Sequence, residues 1–87
     1  MYSVELTDDA DDDLLQLDMQ VAQQVIGRLN WLGENAEMVR HQALSGRWRG
    51  FYRLRAGDYR VLYTLDHERQ LVIVEVIGHR SDVYRRN

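Results

Sequence analysis

The 87-residue chain contains no cysteine, which excludes a disulfide framework, a thiolate zinc site and a thiol nucleophile. It also contains no run of about 18 apolar residues, and no basic segment followed by an apolar one opens the sequence. These absences predict a cytoplasmic protein with no membrane partner. The length fits one domain, residues 1–87, and a content of 45% hydrophobic and 29% charged residues is typical of globular proteins.

Lysine is absent as well, so all eleven basic residues are arginine. Arginine presents a planar fork of donors that matches a phosphate group, although a genome-wide preference for arginine would explain the bias equally well. The charges are divided unevenly: residues 1–38 hold nine acids and one arginine, whereas residues 39–87 hold five acids and ten arginines. This division predicts two different surfaces, one of which can bind an anion.

Helical periodicity marks the first half of the chain, after a short alternating strand at residues 2–6. Apolar residues repeat at helical spacing at Ala10, Leu14 and Leu17, and again at Val21, Val25, Leu29 and Leu32. The acidic run 8–13 suits the solvated beginning of the first helix, and Gly33 or Asn35 is expected to end the second. Residues 36–46 show no clear period, and a short helix there is one option.

Alternation with period two begins at residue 51. It predicts strands at 51–55, 58–66 and 70–77, joined by turns at 56–57 and 66–69. The element order β-α-α-β-β-β predicts an α+β fold in which two N-terminal helices pack on one face of an antiparallel sheet. The first strand can join that sheet in parallel with a later one.

Three arginines lie on the hairpin formed by the first two of these strands. A turn at 56–57 would place Arg53 opposite Arg60, with Arg55 on the same face and most apolar side chains on the other. Like charges that face one another destabilise a strand pair, so something must compensate. The candidates are Asp58, Glu75 placed opposite Arg60 on the next strand, or a bound polyanion.

RelE toxins of the RelE/ParE superfamily, which belong to type II toxin–antitoxin systems, closely resemble this chain in two stretches: LSGRWRGFYRLRAGDYRVLY at 44–63 and VIVEVIGHRSDVYRR at 72–86. The resemblance implies a RelE-like fold and an endoribonuclease that enters the ribosome, cuts mRNA in the A site and inhibits translation. It implies attack by the 2′-hydroxyl on the adjacent phosphate, without metal or cofactor. It also implies a cognate antitoxin, through which alone operator DNA is bound.

By the same resemblance, the family's catalytic positions fall on Arg53, Arg55, Arg60, Arg80 and Tyr84. The family often has lysine at the first two positions, and arginine does not deprotonate in proteins, so either another group is the general base or catalysis relies on orientation and charge stabilisation. The candidates are His79, Tyr84 and Glu75, although His79 could serve only to shape the turn after Gly78. Further RNA contacts are predicted at Arg47, Arg49, Arg85 and Arg86, of which the last two also fit a frayed basic tail.

Three other functions remain open at this point. A ParE-like toxin of the same fold would poison DNA gyrase and would not need the catalytic set. A non-catalytic module would use the arginines only to bind an acidic antitoxin segment or DNA. A ribosome-independent ribonuclease would need an evident acid–base pair, for which only His79 is available. The acidic helices also depart from the strongly basic character of most RelE toxins, and they predict weaker, more salt-sensitive ribosome docking unless they face away from RNA.

Overall fold

Two helices lie against one face of a five-stranded sheet in the computed structural model, which describes residues 1–86. The elements are β1 (Ser3–Leu6), α1 (Asp8–Leu15), α2 (Met19–Asn35), β2 (Gln42–Ala43), β3 (Tyr52–Ala56), β4 (Tyr59–Asp66) and β5 (Leu71–His79). The strand order is β1-β5-β4-β3-β2, with β1 parallel to β5 and the other pairs antiparallel. The predicted α+β fold and the parallel first strand are confirmed. Asn87, the last residue of the predicted domain, lies outside the described residues.

Side-chain caps set the beginnings of both helices. The Thr7 hydroxyl accepts a hydrogen bond from the Ala10 amide at 3.2 Å, and the Asp18 carboxylate accepts one from the Val21 amide at 3.0 Å. Each cap satisfies an amide that the first helical turn leaves without a partner. No helix within residues 1–86 has both the length and the apolar character needed to span a bilayer.

The segment between α2 and β3 differs from its prediction. Residues 36–46 form turns and the two-residue strand β2, and the short helix is a single 3₁₀ turn that begins only at Gly46 and ends at Trp48. Gln42 and Ala43 pair with Arg53 and Tyr52 at the edge of the sheet. Two residues are too few to show a period, so only the long-range pairing reveals this strand.

The core lies between the helices and the sheet. Val25, Leu29 and Leu32 of α2 pack against buried residues of β3, β4 and β5. Strand β5 contains a β-bulge, since Leu62 pairs with Val76 but the next residue, Tyr63, pairs with Val74. A second, smaller hydrophobic cluster, which includes Leu62 and Val76, lies on the other face of the sheet. The residue between the two valines is therefore unpaired, and Val76 faces away from the helices whereas Val74 faces them. A second 3₁₀ turn, Val83–Arg85, packs on this smaller cluster.

Two glycines of α2 should respond to alanine with opposite signs. A Cβ at Gly33 would lie 2.9 Å from the Tyr2 carbonyl oxygen and 3.0 Å from Val4 Cγ2, whereas one at Gly27 would meet nothing within 4 Å. We expect Gly33→Ala to lower the free energy of unfolding by about 1–3 kcal/mol through overpacking. Gly27→Ala should raise it by about 0.5–1 kcal/mol through helix propensity. Urea denaturation measures both, and changes of equal sign would contradict this packing of α2 on β1.

Burial raises the pKa of Tyr63 to about 12, with a smaller contribution from Tyr52. The Tyr63 hydroxyl lies 2.6 Å from His41 Nδ1, and His41 Nε2 lies 2.8 Å from the Ala36 carbonyl oxygen. Tyr63 loses its phenol proton near pH 10 in the unfolded chain and near pH 12 in the folded chain. The contribution of the protonated Tyr63 to stability is therefore fully present below pH 10 and is lost as the pH rises toward 12. We expect about 2–3 kcal/mol to be lost between these values. Urea midpoints from pH 8 to 12 test this, and Tyr63→Phe should remove that part of the pH dependence.

Candidate functional site

The three hairpin arginines share the face of the sheet that the helices leave open. Arg55 pairs with Arg60 across β3 and β4, and Arg53 pairs with Leu62, a residue of the smaller cluster. The predicted pairing of Arg53 with Arg60 is therefore wrong, because the turn is Gly57-Asp58 and not Ala56-Gly57. A turn one residue later changes each partner by two positions, which keeps every side chain on its predicted face.

The position of this turn follows from a glycine. Gly57 has φ of +61°, a left-handed backbone conformation that side chains other than glycine rarely adopt. The first residue of a two-residue hairpin loop commonly needs such a conformation. A Cβ on Gly57 would also lie only 2.8 Å from the side-chain Nε2 of Gln24 in α2, so the turn packs closely against the helix.

Arg53 and Tyr84 form the center of the candidate site. Arg53 Nη1 donates a hydrogen bond to the Tyr84 hydroxyl at 3.1 Å. Arg53 Nε is buried and has no hydrogen-bond partner among residues 1–86, although buried donors are normally satisfied. The Tyr84 carbonyl accepts a hydrogen bond from Trp48 Nε1 at 3.1 Å, and the neighbouring Val83 is fully buried. The C-terminal segment is thus packed onto the face of the sheet that carries Arg53, Arg55 and Arg60, hereafter the arginine face, and it holds the Tyr84 ring there.

The other predicted arginines lie at the hairpin tip or, in the case of Arg80, in contact with it from the end of β5. Arg60 Nη1 donates to the carbonyl oxygens of Gly57 and Tyr59, at 2.8 and 2.9 Å, so its guanidinium is held at the turn. The Arg80 amide donates to the Asp58 carbonyl at 2.8 Å, and Arg80 Nε lies 3.8 Å from the Asp58 carboxylate. Both side chains of that pair are largely exposed, so the pair contributes little to stability.

The charge balance at the tip leaves arginine in excess. Arg55 is exposed, and no carboxylate of residues 1–86 lies within ion-pair distance of Arg55 or Arg60. Asp58 therefore compensates Arg80, and the repulsion between the paired Arg55 and Arg60 has no carboxylate to offset it in the described structure. A bound anion would relieve this repulsion.

Two of the candidate bases do not join the arginines. His79 pairs with Tyr59, and the two rings are in edge-to-face contact at 5.4 Å on the helix side of the sheet. His79 Nδ1 accepts a hydrogen bond from the Ser81 amide at 3.2 Å, which fits the turn-shaping alternative. Glu75 was predicted opposite Arg60, which is wrong because Gly78 occupies that position and Glu75 is the unpaired residue of the bulge. Tyr84 is the one candidate that lies among the arginines.

Arg86 is anchored to the rest of the fold and does not belong to a frayed tail. Arg86 forms an ion pair of 2.6 Å with Asp13, whose side chain is only 12% exposed. Asp13 also accepts a hydrogen bond from the Ile77 amide at 3.0 Å, on the edge of β5 beyond the end of β1. Sequence reasoning missed Asp13, because within an acidic run no local signal distinguishes the one carboxylate that points inward.

The remaining predicted RNA contacts differ in their availability. The Arg47 guanidinium donates to the Arg86 carbonyl and stacks near the Trp48 ring at 5.6 Å. Arg49 and Arg85 are exposed. Trp48, to which the sequence assigned no role, therefore contacts both Arg47 and the Tyr84 backbone.

An open groove of about 760 Å³ lies beside the C-terminal segment, between the start of α1 and the start of β3. Its charged lining residues are Asp8, Asp9, Glu75, Arg47 and Arg86. Three carboxylates would repel a phosphate backbone, and Arg55, Arg60 and Arg80 are not part of the lining. The arginine face, and not this larger groove, is therefore the better candidate for an anion site.

Comparison with known proteins identifies the family to which the chain belongs. Residues 4–84 match the family model described as the ParE toxin of the type II toxin–antitoxin system parDE. Toxin RelG of Mycobacterium tuberculosis is 43% identical over 37 residues, a match that spans 42% of this chain and only 42% of that relative.

Solved structures extend the likeness to the whole fold. A chain of the toxin–antitoxin complex RelBE2 from Mycobacterium tuberculosis matches with a TM-score of 0.81 and 29% identity, over 91% of this chain and 98% of that one. The isolated RelE toxin of E. coli matches with a TM-score of 0.74 and 21% identity, over 91% of this chain and 84% of that one, which supports the fold alone. The chain therefore belongs to the ParE toxin family of type II toxin–antitoxin systems, within the RelE/ParE superfamily.

Proposed function

We propose that this toxin is a ribosome-dependent endoribonuclease that cuts mRNA in the A site and is neutralised by a cognate antitoxin. The observation that carries the proposal is the hydrogen bond between Arg53 and the Tyr84 hydroxyl, on the same face as the uncompensated Arg55 and Arg60. A gyrase poison has no need for a tyrosine hydroxyl oriented by a guanidinium within an arginine cluster.

The proposed reaction is an intramolecular phosphoryl transfer. The 2′-oxygen of a ribose forms a bond to the adjacent phosphorus, and the bond from phosphorus to the 5′-oxygen breaks. The products are a 2′,3′-cyclic phosphate and a 5′-hydroxyl. Negative charge builds on the phosphorane, where the guanidinium of Arg60, which is held at the turn, and that of Arg80 stabilise it, because charges already in place act most strongly on charge that develops in the transition state.

Tyr84 is suited to supply the proton of the leaving group. Its hydroxyl oxygen accepts a hydrogen bond from Arg53, so its own proton is free to be donated elsewhere. We assign it to the 5′-oxygen, with water later restoring the proton. The 2′-hydroxyl loses its proton to water, because arginine cannot accept one. Catalysis then depends on orientation of the RNA and on charge stabilisation more than on a protein base.

The proposed partners follow from the family and from its solved complexes. The matching structure from Mycobacterium tuberculosis is a toxin–antitoxin complex, and we propose that a cognate antitoxin likewise binds this chain. Contact with operator DNA would then occur only through that antitoxin. The ribosome and the mRNA in its A site complete the set of partners, and we place all of this activity in the cytoplasm of the cell.

A translation extract programmed with a defined mRNA tests the proposal. Addition of the chain should produce cuts within the codon in the A site, and the fragments should carry 5′-hydroxyl and 2′,3′-cyclic phosphate ends. Co-addition of the antitoxin encoded beside the toxin should suppress the cuts. Intact mRNA in an extract whose ribosomes are stalled with an open A site would refute the nuclease assignment.

Poisoning of DNA gyrase is the second candidate, and the match of residues 4–84 to the ParE toxin model favours it. It makes a different prediction for the same preparation. Purified gyrase with supercoiled plasmid should accumulate cleaved DNA in the presence of the chain, while mRNA in the extract stays intact. A-site cuts without trapped gyrase would leave the ribonuclease as the only one of the two that survives.

A further inference from the structure

A second group of arginines lies at the open edge of β3. A cleft of about 210 Å³ there is lined by Arg28 and Trp31 of α2, by Arg40, and by Arg53 and Arg55 of β3. None of the lining residues described between positions 1 and 86 is acidic. Nothing in the sequence patterns pointed to Arg28 or Arg40, because they come from separate elements that only the fold brings together.

The edge of β3 holds the first of these arginines in place. Strand β2 pairs only with Tyr52 and Arg53, which leaves the backbone of Arg55 without a strand partner on that side. The Arg55 carbonyl instead accepts a hydrogen bond from Arg28 Nε at 3.0 Å. The Arg28 guanidinium also stacks on the Trp31 ring, with 4.5 Å between its central carbon and the ring centroid. These contacts fix Arg28 through Nε and the π-face, and its terminal nitrogens can serve another acceptor.

The arginines around the cleft lack counter-charges. No carboxylate within the described chain lies at ion-pair distance from Arg28, Arg40, Arg53 or Arg55. Several guanidinium groups around one cleft make its electrostatic potential positive and repel one another. A bound anion is the simplest way to lower this repulsion.

We propose that this cleft binds a phosphate group of single-stranded RNA, next to the phosphate that is cut. The cleft is smaller than the roughly 300–1,000 Å³ of small-molecule sites, so it suits one phosphate of a longer strand. Arg28 and Arg40 supply the donor forks, and Trp31, which is 39% exposed, offers a ring on which a base can stack. Arg53 and Arg55 border the cleft and carry their side chains on the arginine face, so one RNA strand can run from the cleft onto that face. The choice of RNA as ligand rests on the proposed function.

Binding of a labelled single-stranded RNA of about twelve nucleotides, followed by fluorescence anisotropy at several salt concentrations, tests the cleft without any cleavage. We expect Arg40→Gln to weaken binding several-fold and Arg28→Gln with Arg40→Gln to weaken it at least about tenfold. The slope of log affinity against log salt should fall by about 0.7 for each lost phosphate contact. Arg69→Gln, an exposed arginine in the loop between β4 and β5, is the matched control and should change neither quantity.

Arg40→Gln keeps the test decisive if loss of the Arg28 contacts disturbs folding, because Arg40 is exposed. A folded Arg40→Gln chain with unchanged affinity and salt slope would overturn the cleft. Binding of poly-glutamate is measured with the same Arg40→Gln chain. If this variant loses poly-glutamate binding but keeps RNA binding, the cleft binds an acidic peptide and the proposal is overturned. Arg40-dependent RNA binding by a chain that makes no A-site cuts would support the cleft and refute the nuclease. A-site cuts with no Arg40 dependence of RNA binding would do the reverse.

Discussion

Replacing Arg60 by alanine is expected to slow A-site cleavage by about 10²–10³-fold, the loss typical when one preorganised donor to a developing negative charge is removed. The Arg60 guanidinium is already held at the hairpin tip by the carbonyl oxygens of Gly57 and Tyr59, so it needs little rearrangement to meet the phosphorane. Arg60→Lys should recover only part of the rate, because an ammonium supplies charge without the planar fork. Single-turnover cleavage of ribosome-bound mRNA measures these rates.

Arg69→Ala is the control that separates a local role from a loss of total charge. Arg69 follows the far end of β4, its side chain is 72% exposed, and it pairs only loosely with Asp66 at 3.9 Å. Its removal changes the net charge of the chain by the same amount as Arg60→Ala, and should change the cleavage rate less than about twofold if electrostatics at the site decide the rate. Equal losses in the two variants, or full activity of a folded Arg60→Ala chain, would remove Arg60 from the proposed site.

The faces of the hairpin could be predicted from the sequence, but its register could not. Alternation along a strand assigns each side chain to one face of the sheet. This assignment stays the same when the turn moves so that each cross-strand partner changes by an even number of residues. The arginines were therefore expected on one face, although Arg60 faces Arg55 and not Arg53. Both candidate turns contain Gly57, and only its positive φ at the first loop position decides between them.

Contacts distant in sequence set the limit of prediction for the rest of the site. The bulge at Glu75 reverses the faces of all later residues of β5, and strict alternation cannot anticipate an inserted residue. For this reason His79 lies beside Tyr59 and away from the arginines. The ion pair of Asp13 with Arg86 joins positions 73 residues apart, within an acidic run whose other members gave no reason to separate them.

Asp13→Ala is expected to lower the free energy of unfolding by about 2 kcal/mol, because it removes a largely buried carboxylate from the Ile77 amide and from Arg86, whose side chain is 40% exposed. The change would strip two donors of their acceptor, Arg86 and the Ile77 amide. It would also release the segment that carries Tyr84, so cleavage should fall further than RNA affinity does. Urea denaturation and the two activity assays measure these effects on one preparation.

Asp12→Ala provides a matched control in the same helix, since Asp12 is exposed and its side chain is expected to contribute less than about 0.5 kcal/mol. Arg86→Ala should cost less than Asp13→Ala, because it leaves the hydrogen bond between Asp13 and Ile77 in place. In the double variant the two losses should not add, because each single variant already breaks the same ion pair. If Asp13→Ala unfolds no more easily than Asp12→Ala, the C-terminal segment is not held by this carboxylate, and the placement of Tyr84 beside Arg53 must depend on other contacts of the segment, among them those of Val83, Trp48 and Arg47.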